Sequence, residues 1–383
     1  MKKQKNRILL LIFFCLLCAD ASNCHAKNTS LSINKEEIRR TLQKTANWQI
    51  LNFSYSKEKN LHDSGIDSWV NAVFYMGLFD YSKALDDSCA MKWLYSIGEA
   101  TQWRVAANFI NYPKYSFFHA DELCVGQFYL QMYDNCRAEP MIRNIKERAD
   151  KIMNGSADTL MKYTNKQVWT WSDALFMAPA VYAHLAKITG DETYLKYMDK
   201  EFKRTYNSLY DKKNKLFFRD SGYFQKTESN GCQIFWGRGN GWVAAGLVNV
   251  LKLLPPESEY RPFYEQLFKE YIPRLAQLQS PAGYWHASLL DPKSYPSPES
   301  SATALITYAL AYGVNSGLLQ RADFMQYLEK SWTFLNSAVL SDGRLGWVQP
   351  IGADPRKVTA EMTASYGIGA FLSAGTELLI LNK

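Results

Sequence analysis

The chain has 383 residues, 47% hydrophobic and 21% charged, enough apolar material for one large core or two small ones. Its formal charge of +7 falls to about +4 once a basic leading segment is set aside, and no long Lys/Arg run remains to argue for a nucleic-acid partner. Five histidines and seven cysteines are scattered without ligand spacing, so no metal and no cofactor is expected.

Residues 1–26 read as an export signal. Lys2, Lys3, Lys5 and Arg7 precede the apolar run Ile8 to Cys18, and Cys24-His25-Ala26 offers small residues for cleavage. The run is short for a bilayer, so no stable membrane span is expected after cleavage and the product should be periplasmic or extracellular. Leu17 and Asn23 are poor neighbours for a lipidated Cys18 or Cys24. Beyond the signal, Cys89, Cys124, Cys136 and Cys232 leave a disulfide or buried free thiols open, and the oligomeric state is open too.

Residues 27–383 are expected to form one domain. Asn34 stands before the first helical pattern with Glu37 three residues on, as in a capping box. Helices are expected near 35–51, 67–80, 86–103, 120–135, 140–155, 172–188, 191–209, 241–254, 260–278, 299–317, 321–338 and 360–380, with no sustained period-two strand. Six of them are apolar and rich in small residues, starting at Trp69, Asp121, Asp173, Trp242, Ser301 and Thr363. The six between are amphipathic, as in Glu192 to Tyr210 and Arg261 to Leu278.

Those starts recur at intervals of roughly 50 to 70 residues, the spacing of a repeated helical hairpin. Six repeats fit an all-α (α/α)6 barrel of six helical hairpins, with buried inner helices and amphipathic outer ones, better than an open solenoid. Ala244, Ala245, Gly246, Gly367 and Gly369 would let inner helices approach closely. Trp171, Asp173, Trp236, Arg238, Trp242, Trp285, His286 and Glu299 fall in or beside the loops before inner helices, which a barrel gathers on one rim.

The segment V-W-T-W-S-D-A-L-F-M-A-P-A, from Val168 to Ala180, is the densest signal. Asp173 reads either as a helix-capping charge or as an acid whose pKa is raised by poor hydration beside indoles. Trp169 and Trp171 would share a face if the approach is extended. In I-F-W-G-R-G-N-G-W, Gly237, Gly239 and Gly241 permit close approach or left-handed backbone, and Arg238 suits a planar carboxylate. The bland alternative is a turn with a structural arginine. In H-A-D-E-L-C-V-G, Asp121 stands one hairpin before Asp173, so two carboxylates could face one cavity; capping is again the alternative, for Asp121 or Glu122. G-Y-W-H-A-S-L-L-D offers Trp285 and His286, the latter either titrating near neutrality or making an ordinary polar contact.

W-T-W-S-D-A-L-F-M-A-P-A, F-W-G-R-G-N-G-W, G-Y-W-H-A-S-L-L-D-P and G-W-V-Q-P-I-G-A-D-P, in that order, resemble the unsaturated rhamnogalacturonyl hydrolases of glycoside hydrolase family 105 and, more distantly, the unsaturated glucuronyl hydrolases of family 88. The resemblance runs from Trp69 to Leu379. It implies an (α/α)6 barrel that removes a 4,5-unsaturated uronic acid from the non-reducing end of oligosaccharides made by lyases. By motif position it implies Asp173 as general acid and base, Asp121 as the second aspartate, and Trp171, Trp236, Arg238 and Trp242 at the substrate, with Trp69, Trp285 and His286 added as rim candidates. One departure stands out: some members carry a histidine where Leu216-Phe-Phe-Arg219 places Arg219, which leaves the neighbouring sugar and its sulfation open. The alternatives are an unsaturated glucuronyl hydrolase acting on glycosaminoglycan or ulvan fragments, and a carbohydrate-binding barrel without catalysis.

Overall fold

A computed structural model of the chain describes residues 33–53, 65–105, 115–155 and 158–381, and the expected signal segment lies outside them. In chain order the helices are α1 (Lys35–Leu51), α2 (Trp69–Leu85), α3 (Ser88–Thr101), α4 (Tyr115–Phe118), α5 (Ala120–Cys136), α6 (Pro140–Asn154), α7 (Ala174–Met177), α8 (Pro179–Thr189), α9 (Thr193–Leu209), α10 (Gly237–Leu253), α11 (Arg261–Gln277), α12 (Ser300–Asn315), α13 (Arg321–Ser337) and α14 (Ser365–Ile380). Two two-residue strands, β1 (Tyr210–Asp211) and β2 (Leu216–Phe217), pair antiparallel between α9 and α10.

All twelve expected helices are present, and two differ in an informative way. The helix expected over 172–188 is split into α7 and α8 because Pro179 has no N–H to continue the ladder and starts a new helix instead. The helix expected from residue 241 begins at Gly237, so the R-G-N-G stretch is its first turn and not a loop.

The apolar helices form an inner ring. α2 packs on α5, α5 on α8, α7 and α8 on α10, α10 on α12, α12 on α14, and α14 returns to α2. That last contact separates a closed barrel from a solenoid. It needs glycine on both sides: a Cβ at Gly369 would collide with the Val73 carbonyl of α2, and one at Gly77 with the Gly369 carbonyl. The amphipathic helices lie outside, α3 on α2, α6 on α5, α9 on α8, α11 on α10, and α13 on α12.

The sixth outer helix is α1, which packs on α14, so the two ends of the fold complete one hairpin between them. Asn34 caps α1, accepting from the Glu36 and Glu37 amides at 2.9 and 3.3 Å. The Glu37 side chain does not close a capping box. Its Oε1 accepts from Asn336 Nδ2 at 2.9 Å, while Thr41 Oγ1 donates to Asn336 Oδ1 at 2.6 Å, and both bonds tie α1 to α13. Cys89, Cys124, Cys136 and Cys232 are all free thiols. Among the described residues no helix is long and apolar enough to cross a membrane.

Candidate active site

Asp173 occupies the N-cap position of α7 but makes no capping hydrogen bond. Its residue is only 8% exposed, and its carboxylate accepts from Ser172 Oγ at 3.0 Å. Burial pushes its pKa above the ordinary carboxylate value. Arg219 opposes that most, Asp121 reinforces it, and Ser172 and Arg238 oppose it further. The capping explanation of this residue therefore fails on geometry.

Backbone pairing brings Arg219 to the acid. Ser172 N donates to Arg219 O at 2.8 Å, and Trp171 and Asp220 form an antiparallel bridge, so the strand-like end of 216–220 lies along the approach to α7. Arg219 Nε then stands 4.0 Å from Asp173 Oδ2, and Nη1 donates to Asp220. Asp220 Oδ1 is itself held by the Gly222 amide at 2.8 Å.

Trp169 and Trp171 do not share a face. Thr170 N bonds back to Val168 O at 2.9 Å, which breaks the extension, and the two rings part. Trp169 packs against Tyr182 and Tyr197, whereas Trp171 lies 4.7 Å from the His119 ring and carries the Lys166 ammonium 4.4 Å over its face.

Across from Asp173, the first turn of α5 presents Asp121 and Glu122. His119 caps this helix by accepting from Asp121 N at 3.3 Å, and its Nδ1 is 3.8 Å from Asp121 Oδ2. Asp121 Oδ1 is buried with no hydrogen-bond partner among the described residues, so this carboxylate is under-satisfied. Burial holds His119 below its ordinary value against the pull of Asp121, with Lys166 and Arg219 pressing the same way as burial. Glu122 is pushed up to about 7 by burial and by Asp121.

The R-G-N-G-W turn supplies the wall. A Cβ at Gly239 would sit 3.1 Å from Ser172 Oγ, which places this turn directly beside the acid. Gly237, Gly239 and Gly241 are helical and none has a positive φ, so close approach alone explains them. Arg238 is 1% exposed. Nη1 and Nη2 donate to Gln349 O at 2.6 Å and Pro350 O at 2.9 Å, and its faces lie on Trp236 and Tyr366. Both terminal nitrogens are thus spent on the 346–350 loop, where Trp347 is held at φ 59°, and Nε is buried without a partner among the described residues. The expectation that Arg238 binds a substrate carboxylate is corrected accordingly: it anchors the loop.

Trp236, 1% exposed, donates Nε1–H to Gln349 Oε1 at 3.2 Å. Trp242 is buried among Phe176, Trp69 and Tyr366, and of these indoles Trp69 keeps partial exposure. Trp285 is fully buried with its Nε1–H on Leu275 O of α11 at 2.7 Å, so it packs the barrel wall and offers no stacking face. His286 Nδ1 bonds Tyr295 O at 2.8 Å and its ring lies on Tyr284; it is an ordinary polar contact. Lys166 and His119 were missed as site residues. Only the two-residue offset of His119 from Asp121 hinted at it.

The arrangement is one poorly hydrated carboxyl that holds its proton more tightly than an ordinary carboxyl does, a second carboxylate near it, and cations beside both. Such a pair suits proton donation followed by proton removal from water. Among the described residues no group of three His, Cys, Asp or Glu side chains could hold a metal ion.

The chain matches the Glycosyl Hydrolase Family 88 model over residues 37–381. It is 35% identical to the unsaturated 3S-rhamnoglycuronyl hydrolase of Alteromonas sp. (strain LOR), covering 95% of this chain and 92% of that protein. It is 33% identical to a protein of the same name from Formosa agariphila, covering 99% and 100%. A solved glycosyl hydrolase family 88 structure from Bacteroides vulgatus superposes with a TM-score of 0.80 at 29% identity, over 91% of this chain and 99% of that one. The ring, its rim carboxylates and these matches agree: the chain belongs to glycosyl hydrolase family 88.

Proposed function

We propose that this enzyme removes a 4,5-unsaturated uronic acid from the non-reducing end of lyase-made oligosaccharides, and that the next sugar is a rhamnose sulfated at position 3. The names of the two full-length relatives support the sulfated rhamnose. The unsaturated rhamnogalacturonyl hydrolase YesR of Bacillus subtilis matches at 29% identity over 46% of the chain, so it supports a plain pectin fragment less. Residues 1–26 are proposed to direct export, where such fragments would be met.

In this reading Asp173 delivers its proton to C4 of the enol ether, and positive charge develops at C5 and the ring oxygen. Water adds at C5 while the same carboxylate, now ionised, takes its proton. The resulting hemiketal opens and the neighbouring sugar leaves with its own oxygen. Asp121 faces the acid across the site and favours its protonated form. The observation that carries this is Asp173 itself, a carboxyl at a helix start that neither caps nor meets bulk water.

The test is loss of C4=C5 absorbance on defined unsaturated disaccharides. Asp173→Asn should lower turnover on the order of 100-fold or more while still binding ligand. Wild-type turnover in that variant ends the mechanism.

A further inference from the structure

The unsaturated uronate carries its carboxylate on C5, next to the carbon that takes the proton. Any productive pose therefore sets an anion within a few ångströms of Asp173. This inference rests on the reaction proposed above and asks which cation receives that anion.

Three cations surround the acid. Arg238 is closed, its two terminal nitrogens on backbone carbonyls and its faces against Trp236 and Tyr366. Lys166 lies over the Trp171 ring, which also contacts the His119 ring. Arg219 is different. Its side chain is 19% exposed, and among the described residues only one of its two terminal nitrogens, Nη1, is committed, to Asp220, whereas Arg238 has both committed. Its Nε is buried and stands 4.0 Å from Asp173 Oδ2, which makes Arg219 a close cationic neighbour of the acid but closes that atom to a ligand. Nη2, bonded to nothing among the described residues, is left to donate a charge-assisted hydrogen bond to a carboxylate. The backbone bond between Ser172 N and Arg219 O fixes the root of the side chain relative to the acid.

We propose that Arg219 receives the C5 carboxylate of the unsaturated uronate through Nη2, and that the pairing offsets the cation beside Asp173, so that the acid holds its proton more firmly when substrate is in place. In the free enzyme Arg219 and, more weakly, Arg238 from α10 favour the ionised acid, with the Ser172 hydroxyl on the same side. Asp121 from α5 favours the protonated one. Lys166 and Asp220 act on Arg219's surroundings, and His119 is driven towards neutrality by burial. Burial already prevails in the free enzyme, and once the uronate carboxylate neutralises Arg219 its largest opponent is gone and the proton is held more tightly still. Substrate thereby arms its own acid.

The experiment compares wild type, Arg219→Gln and Arg219→Lys on unsaturated uronyl-rhamnose as the free acid and as the methyl ester, each with and without the 3-sulfate. Wild type should favour acid over ester by roughly 10- to 100-fold in kcat/KM, and Arg219→Gln should bring that ratio to within about threefold of unity. Arg219→Lys should restore part of it. A ratio of two substrates on one preparation does not depend on the fraction folded. In wild type the alkaline limb of kcat should lie at higher pH than that of kcat/KM, since binding raises the acid's affinity for its proton. In Arg219→Gln the two limbs should coincide.

An Arg219→Gln enzyme that keeps the wild-type preference for acid over ester overturns the inference. So does one that loses only the distinction between sulfated and plain rhamnose, which would assign Arg219 to the sulfate. A wild type that consumes none of these compounds removes the proposed reaction and this inference with it; an active wild type beside an unaltered ratio removes this inference alone.

Discussion

Asp173 and Glu299 both stand at the N-terminus of an inner helix, and both are buried, yet they are opposite kinds of residue. Glu299 caps α12: Ser301 N, Ser301 Oγ, Ala302 N and Gln349 N all donate to its two oxygens at 2.7 to 3.1 Å. Asp173 caps nothing and takes one hydroxyl. A carboxylate at a helix start thus says little until its acceptors are accounted for. A fully satisfied one holds structure, and an under-satisfied one keeps the capacity to exchange a proton.

The sharpest way to break this comparison is to neutralise each acid in turn. Asp173→Asn should lose activity on the order of 100-fold or more and yet melt higher than wild type near neutral pH. The sign follows from its raised pKa. The folded protein binds that proton more tightly than the unfolded chain, so wild type loses stability as pH rises from the ordinary carboxylate value through the raised one. The asparagine variant has no such loss. A melting curve in which Asp173→Asn is the less stable protein across that window would show that the acid is structural after all.

Glu299→Gln should behave in reverse, keeping turnover within a few-fold while losing about 1 to 3 kcal/mol, because an amide cannot accept from all four donors. Chemical denaturation with a parallel activity assay separates the two effects. Arg238→Met tests the loop that both Glu299 and Arg238 hold. It should cost about 2 kcal/mol and raise KM more than it lowers kcat, since Gln349 O and Pro350 O lose donors while the acid stays in place. The smallest effect expected is from Lys166→Ala, roughly two- to fivefold in kcat/KM from the loss of its contact with Trp171. An effect as large as that of Asp173→Asn would move Lys166 into the chemistry.

The barrel was legible because its information is local. Alternation of small-residue apolar helices with amphipathic ones survives in the sequence at every hairpin, and Pro179 even marked the break between α7 and α8, although a single helix was expected there. The acid was legible for the same reason, standing in a short, unusual segment. What could not be read was who stands next to whom. Arg219 reaches Asp173 through two backbone contacts between segments almost fifty residues apart, far too short a pairing to leave a period-two pattern. Arg238 looked free because its partners are carbonyls of a loop more than a hundred residues on, and carbonyls carry no residue-type signal. Trp285 and Trp171 looked alike as indoles and both are buried; only their neighbours distinguish wall from site, Leu275 O for Trp285 and the His119 ring and Lys166 ammonium for Trp171.

The seam between α2 and α14 bears on how the chain is made. The apolar side of α2 meets its last neighbour only after about 280 further residues have been synthesised, on the order of tens of seconds at ordinary translation speeds. Until then a greasy stripe near the start of the nascent polypeptide has no native cover on one flank. Cells producing this enzyme must therefore shield it in the interval, and shortening the far end by even one helix would leave that flank permanently sticky.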